Sequence, residues 1–274
     1  MPHVSALYRY PVKGFTPEPM SELTVQDDGR IAGDRVLAFR FANATQPEDQ
    51  NGLDYWPKAK GLALMTFPSL ARLRVSFDGE TLTFTEDGDL VVSAGLDPDG
   101  RRELADAVAD WILAGPDARR LRRPGHLPLV LVGDGRTSRF QDRARGFVSL
   151  HSAASVEDLA GCAPGIPVDS RRFRSNVVVD DLPAWKELEW AKTGAEIRVG
   201  DVALTAQKTI VRCKAIEADP DTGLREADLL TSLTQDLGQQ EPTLGALFLP
   251  THAGGVIRVG DEVSSPIPAV PAPA

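Results

Sequence analysis

A five-residue string, Ile-Arg-Val-Gly-Asp, occurs twice in the C-terminal half of this chain, at 197–201 and at 257–261. Each copy alternates apolar and polar residues, as a half-buried strand does, and each ends in a Gly-Asp turn. Short strands interrupted in this way are typical of a small β-barrel rather than of a solenoid. The repeat therefore predicts a fold that is mainly β.

Short runs rich in apolar residues predict several other strands, at 4–10, 36–41, 129–132 and 177–179. Asp78-Gly79 lies between two alternating runs, which is a strong hairpin signal. Helical spacing predicts amphipathic helices over 101–114 and over 229–237. The polar stretch 42–60 is expected to be a long loop, and long ordered loops are often functional.

Composition excludes several classes of protein. A net charge of −9 over 274 residues is unfavourable for a general nucleic-acid binder, which needs a basic face. No run of about 18 apolar residues is found, and the N-terminus lacks the apolar core of a signal peptide. We therefore expect no nucleic-acid partner, no membrane association and a cytoplasmic location.

The chain has two cysteines, Cys162 and Cys213, which is too few for a disulfide framework or for a four-cysteine metal site. Cys213 falls near the predicted end of a strand, and Lys208, Arg212 and Lys214 flank it. Fixed positive charge favours the thiolate, which is both the nucleophile and the soft metal ligand. The competing interpretation is that Cys213 is a small buried hydrophobic residue.

Two arginine clusters have two interpretations each. Arg119 to Arg123 could be a solvated basic face or an anion contact, and the neighbouring Pro124-Gly125 predicts a domain boundary. Arg171, Arg172 and Arg174 could be a surface cluster or a fork for phosphate.

Several segments, in this order, resemble the MOSC superfamily of molybdenum-cofactor proteins. They are YPVKG at 10–14, GDR at 33–35, FRSNVVVD at 173–180, KTIVRC at 208–213 with DPDTG at 219–223, and GGVIRVGDEV at 254–263. The pattern is similar to that of the amidoxime-reducing components and their bacterial counterparts, although Val211 stands where the better-known members have serine. Pyridoxal phosphate binding is also associated with the superfamily, and for this chain it rests on that superfamily association only.

The resemblance implies a fold that is mainly β with α. It implies a β-barrel MOSC domain at 125–264, a smaller N-terminal α/β, barrel-like domain at 1–124, and a disordered tail at 265–274. It also implies that Cys213 is the thiolate ligand to molybdenum and the catalytic residue. The residues implied to bind the pyranopterin cofactor are Lys13, Arg35, Ser152, Arg174, Asn176 and Arg212.

By the same resemblance, the expected function is that of a molybdenum-cofactor oxidoreductase. It would reduce small N-hydroxylated or N-oxide substrates by oxygen-atom transfer. Electrons would come from an external donor, such as a reductase, a b-type haem protein or an iron–sulfur protein, because the chain has neither a ferredoxin-like cysteine set nor a flavin signature. The alternative is a non-catalytic protein that carries the cofactor, or that carries sulfur as a persulfide on Cys213.

Overall fold

The computed structural model describes residues 1–265, so all but the first residue of the predicted tail at 265–274 lies outside the described residues. The strands are β1 (His3–Arg9), β2 (Glu18–Met20), β3 (Glu22–Val25), β4 (Ala38–Arg40), β5 (Glu48–Gln50), β6 (Leu53–Tyr55), β7 (Arg74–Phe77), β8 (Thr81–Glu86), β9 (Asp89–Gly95), β10 (Val130–Val132), β11 (Val148–Ser152), β12 (Val177–Asp180), β13 (Glu196–Val199), β14 (Val202–Val211), β15 (Thr243–Pro250), β16 (Gly255–Arg258) and β17 (Val263–Ser264). The helices are α1 (Pro98–Ala114), α2 (Ala118–Leu121), α3 (Ala153–Gly161), α4 (Lys186–Thr193) and α5 (Leu229–Thr231). Single 3-10 turns lie at Lys58–Lys60, Pro68–Arg72, Ser170–Phe173 and Lys214–Glu217, and a π-helical turn follows α5 at Ser232–Asp236.

The largest sheet closes into a barrel. Its strand order is β17-β13-β14-β15-β11-β12-β1-β2, with β11 and β12 parallel and every other neighbouring pair antiparallel. The start of β1 returns to the other end of the sheet, because His3 pairs with Glu262 and the Val263 amide donates to the Pro2 carbonyl at 2.8 Å. Closure of this kind removes the unpaired edges that an open sheet would present.

The barrel interior is filled by alternating apolar residues of its strands. Leu150, Val177, Leu204 and Phe248 are fully buried there, and Leu7 of β1 packs with them. The N-terminal strand thus contributes to the core of the predicted C-terminal domain. The domain boundary near residue 124 stays a prediction.

A second core lies between α1 and the three-stranded sheet β7-β8-β9. Asp97 caps α1, accepting from the amides of Asp99 and Gly100 at 3.0 and 3.1 Å. The buried face of the helix carries Leu104 and Val108. Strand β10 joins this part of the chain by pairing with β4.

Most predicted elements are found. The prediction of a mainly β fold with α is confirmed, as are the strands at 4–10, 36–41, 129–132 and 177–179 and the hairpin at Asp78-Gly79. The stretch 42–60 is not one loop, because β5 and β6 form a hairpin within it. The predicted helix at 229–237 is only one α-helical turn followed by a π turn. Across residues 1–265, no helix is both long and apolar enough to cross a bilayer.

Candidate functional site

A cavity of about 370 Å³ opens where the N-terminal segment meets the barrel. It is lined by residues from β14 and the turn after it, from the loops after β1 and β10, and from the segment before β12. The predicted site residues that line it are Lys13, Arg35, Arg174, Asn176, Arg212 and Cys213. Residues up to 200 positions apart are therefore brought to one hollow, as the resemblance implies.

Cys213 directly follows β14, and its carbonyl accepts from the Ile216 amide at 3.1 Å, which starts the turn Lys214–Glu217. Its side chain is free and only partly buried. The interpretation of Cys213 as a sealed core residue is therefore wrong. A thiol at the end of a strand, facing a cavity, is accessible to a ligand.

Two of the three cations expected around the thiol do not line the cavity. Lys208 lies over the Phe147 ring at 5.2 Å, and Lys214 faces Glu217 and Asp228. The lysine beside Cys213 is instead Lys58, from the stretch predicted to be a loop.

Lys58 interacts with both Asp142 and Cys213. Burial lowers the pKa of Lys58, but Asp142 and then the hydrogen-bonded Cys213 outweigh that cost and leave the pKa raised. Lys58 Nζ lies 3.9 Å from Asp142 Oδ2. The ammonium therefore stays charged next to the sulfur.

Lys13 lies at the floor of the cavity and is only 6% exposed. Its Nζ donates to the carbonyl oxygens of Trp56 and Gln141 and to Asp142 Oδ1, each at 3.0 Å. Burial lowers the pKa of Lys13, although the Asp142 carboxylate opposes the shift. Burial raises the pKa of Asp142, but Lys13 and Lys58 outweigh it and bring the pKa to about 2.

Arg35 and Arg174 share one aromatic ring. Their guanidinium carbons lie 4.6 and 4.4 Å from the Tyr10 ring centroid, and Tyr10 is fully buried. Arg35 also pairs with Asp34, and both arginines adopt a left-handed backbone with φ of 52°. A non-glycine residue in that conformation is uncommon and must be held there by its surroundings.

Arg174 and Arg212 line the cavity without a carboxylate partner among residues 1–265. Arg174 donates to the Phe15 carbonyl, and Arg212 donates to the carbonyl oxygens of Leu244 and Phe173. Burial, without a paired anion, lowers the pKa of each guanidinium to about 10. Such groups are stabilised when an anion enters the cavity, so this side of the cavity fits a phosphate or another anionic ligand.

Two predicted cofactor residues have other roles. Asn176 lines the cavity, but its side chain accepts from Ser149 at 2.7 Å and donates to the Tyr8 carbonyl at 3.1 Å. Ser152 does not reach the cavity: it is fully buried, precedes α3 and donates to the Leu182 carbonyl at 2.6 Å. Asn176 therefore fixes the wall, and the structure does not bring Ser152 to the site.

The three arginines that precede β12 do not act as one cluster. Arg171 is bound by Asp169 and Asp221, and Arg172 pairs with Asp219 at 3.0 Å. These carboxylates already pair with both groups, so of the three arginines that were interpreted either as a surface cluster or as a phosphate fork, Arg174 alone is left without a carboxylate among residues 1–265.

Tyr10, Lys58 and Asp142 are the site residues that the sequence did not reveal. Tyr10 precedes a proline at a strand end, and Lys58 and Asp142 lie in polar stretches without a motif. Two signals bear on them: Tyr10 begins the YPVKG segment at 10–14, and Lys58 lies in the long polar stretch 42–60, whose length suggested a functional segment. Across residues 1–265, no three His, Cys, Asp or Glu side chains form a metal-binding group. A metal at Cys213 would therefore need further ligands from its own cofactor.

The family comparison agrees with this part of the fold. The model of the MOSC domain matches residues 137–264, which contain β11 to β17 and Cys213. The chain therefore contains a MOSC domain.

Among curated proteins, the chain is similar to two proteins named molybdenum cofactor sulfurase. The protein from Oryza sativa subsp. japonica is 27% identical over 138 residues, covering 43% of this chain and 16% of the relative. The protein from Drosophila grimshawi is 30% identical over 135 residues, covering 48% and 16%. The chain thus spans about a sixth of the length of these relatives.

Two solved structures are distantly similar. The YuaD protein from Bacillus subtilis has a TM-score of 0.41 and 14% identity, covering 96% of this chain and 94% of that chain. YiiM from Geobacillus stearothermophilus has a TM-score of 0.35 and 15% identity, covering 46% and 56%.

Proposed function

We propose that this protein binds a molybdenum cofactor in the cavity at Cys213 and reduces N-oxygenated small molecules. The observation that carries the proposal is the partly exposed thiol in a cavity whose Arg174 and Arg212 lack a paired anion. The MOSC domain and the relatives named molybdenum cofactor sulfurase support the choice of cofactor.

Each cavity residue has a distinct role in this proposal. The Cys213 thiolate would be the protein's ligand to the metal, since a soft sulfur suits a metal already bound by dithiolene sulfurs. Arg174, Arg212 and Arg35 would bind the phosphate and the polar ring edges of the cofactor. Lys58 keeps positive charge beside the sulfur, and the Tyr10 ring positions Arg35 and Arg174, which both lie over it.

When bound, the cofactor would supply oxygen-atom transfer, and the protein would position and tune it. For an N-hydroxylated substrate the N–O bond breaks, an N–H bond forms and the oxygen leaves as water. This reaction consumes two electrons and two protons. The electrons would come from an external donor protein, because Cys213 and one other cysteine, Cys162, are too few to hold an iron–sulfur cluster as well.

The test is metal analysis of protein purified from a host that makes the cofactor. We expect about one molybdenum per chain in the wild type, as a single thiolate site requires. Cys213→Ala should lose the metal, whereas Cys162→Ala, which removes the other free cysteine, should retain it. Reduction of benzamidoxime with a small artificial reductant should follow the metal content.

The alternative function, a carrier of sulfur, is separated by the same samples. Metal-free wild-type protein with a titratable persulfide on Cys213 would contradict the oxidoreductase and support the carrier. Its physical basis is the accessible thiol next to Lys58, whose positive charge would stabilise a persulfide anion.

A further inference from the structure

A second groove, of about 990 Å³, lies beside the cysteine cavity and is strongly basic. We call it the arginine groove. Its lining residues share three short segments of chain: Pro68, Ser69 and Arg72; Pro116, Asp117, Arg119, Arg120 and Arg123; and Thr222, Gly223, Leu224 and Arg225. It contains the arginine cluster that the sequence left open between a solvated face and an anion contact.

Much of the positive charge in the groove is unpaired. Arg72 pairs with Glu86, and Arg120 pairs with the buried Asp117 at 2.5 Å. Arg119, Arg123 and Arg225 have no carboxylate partner among residues 1–265, and the first two are exposed. In a chain with a net charge of −9, this groove is a local positive region within an acidic surface.

The groove and the cysteine cavity share a wall. Arg225 Nη2 donates to the carbonyl oxygens of Leu64 and Met65 at 3.2 and 2.7 Å, and both of these residues line the cavity. The floor is tightly closed: a Cβ on Gly223, which has φ of +71°, would collide with the carbonyl of Pro68. A molecule docked in the groove would therefore lie against the outer side of the cavity wall.

We propose that the arginine groove is the docking surface for an acidic electron-donor protein. The inference rests on the proposed function, which requires external electrons near Cys213. Arginine around an apolar anchor is typical of protein interfaces, and Leu224 is 57% exposed at the groove rim. A positive groove on an otherwise acidic molecule orients an acidic partner toward this one face.

Single-stranded nucleic acid fits the groove less well. Such ligands need aromatic side chains on which bases stack, and the lining residues include no Phe, Tyr, Trp or His. The acidic remainder of the surface also repels a phosphate backbone. The charge pattern therefore favours a compact acidic protein over a long polyanion.

The test compares binding of an acidic [2Fe–2S] ferredoxin to the wild type and to the double variant Arg119→Glu/Arg123→Glu. By surface plasmon resonance at an ionic strength of about 0.01 M, where the Debye length is about 30 Å, the variant should associate at least about tenfold more slowly. At about 0.15 M the difference should shrink, because salt screens exposed charges. The double variant Lys192→Glu/Arg198→Glu makes the same change in net charge at exposed positions outside the groove, and it should associate much faster than the groove variant.

Equal association of the wild type and the groove variant would overturn the proposal, as would no ferredoxin binding to the wild type. So would an equal loss in the two double variants, since net charge alone would then explain the effect. Arginine-dependent binding of a single-stranded oligonucleotide without ferredoxin binding would replace it with a nucleic-acid site. Turnover with reduced methyl viologen separates the two proposals. If the wild type shows no turnover, the proposed oxidoreductase function is contradicted. The binding comparison then still decides whether the arginine groove is a docking surface.

Discussion

The contact between Tyr10 and the two cavity arginines has a magnitude that can be measured. Each guanidinium lies about as far from the ring as a cation–π interaction requires, at 4.6 Å for Arg35 and 4.4 Å for Arg174. Such contacts are worth about 0.5–1 kcal/mol at exposed sites and about 2 kcal/mol when desolvated. Both arginines are partly buried, so we assign about 1 kcal/mol to each pair.

A double-mutant cycle isolates one pair from the loss of packing. Urea denaturation of the wild type, Tyr10→Leu, Arg174→Met and the double variant should give a coupling free energy of about 1 kcal/mol. The cycle with Tyr10→Phe in place of Tyr10→Leu is the matched control. Phenylalanine keeps the ring and removes only the 3.3 Å bond to the Ser175 carbonyl, so the coupling with Arg174 should nearly vanish in that cycle.

The same variants connect the ring to the proposed cofactor site. Tyr10→Leu should retain less molybdenum than Tyr10→Phe after purification, because both arginines lose the surface that orients them. A coupling free energy within about 0.3 kcal/mol of zero in the Tyr10→Leu cycle would refute the reasoning. It would mean that backbone contacts alone hold Arg174 in place.

Three further predictions concern single residues. Lys58→Gln should slow alkylation of Cys213 by iodoacetamide several-fold at neutral pH, since the cation hydrogen-bonded to the sulfur, which makes a cysteine more reactive, is lost; an unchanged rate by mass spectrometry would contradict this role. Gly223→Ala should lower the free energy of unfolding by more than Gly238→Ala, since both positions have positive φ but only the first would also clash, and equal losses would show that the groove floor relaxes. The fully buried Glu187 has its pKa raised by burial from 4.5 to about 7, so its contribution to stability is complete below pH 4.5 and is lost as the pH rises through 7. In urea denaturation Glu187→Gln should remove a pH-dependent contribution on the order of 3 kcal/mol between pH 4.5 and 8, and parallel pH profiles for variant and wild type would exclude it.

Local sequence pattern was sufficient where neighbouring residues decide the structure. Short apolar runs located β1, β10 and β12, and Asp78-Gly79 located the hairpin, because strand propensity and turn chemistry are local properties. The position of Cys213 after a strand followed from the same pattern. The spacing of the leucines at 229–237 was less informative, since it does not distinguish an α-helix from one turn that continues as a π turn.

The site itself depended on contacts between distant segments. Lys58 and Asp142 meet Cys213 only because the barrel and the N-terminal segment pack together, and no local spacing encodes that meeting. Lys208 and Lys214 are close to Cys213 in sequence but contact other groups, because Lys208 lies over the Phe147 ring and the chain turns directly after residue 213. A further contact between distant segments joins Ser155 of α3 to α4, where Ser155 donates to the buried Glu187 at 3.0 Å.

The insertion of β1 between β12 and β2 has a consequence for how this gene could recombine. A coding fragment that began at residue 125 would encode a barrel without strand β1. The backbone of β12 would then be an unpaired edge, able to pair with strands of other molecules. It would also lack Lys13 and Arg35, which follow β1 and line the cavity. We therefore expect a fusion or domain shuffle to inherit the codons for β1 to β4 together with the C-terminal half, as one heritable unit.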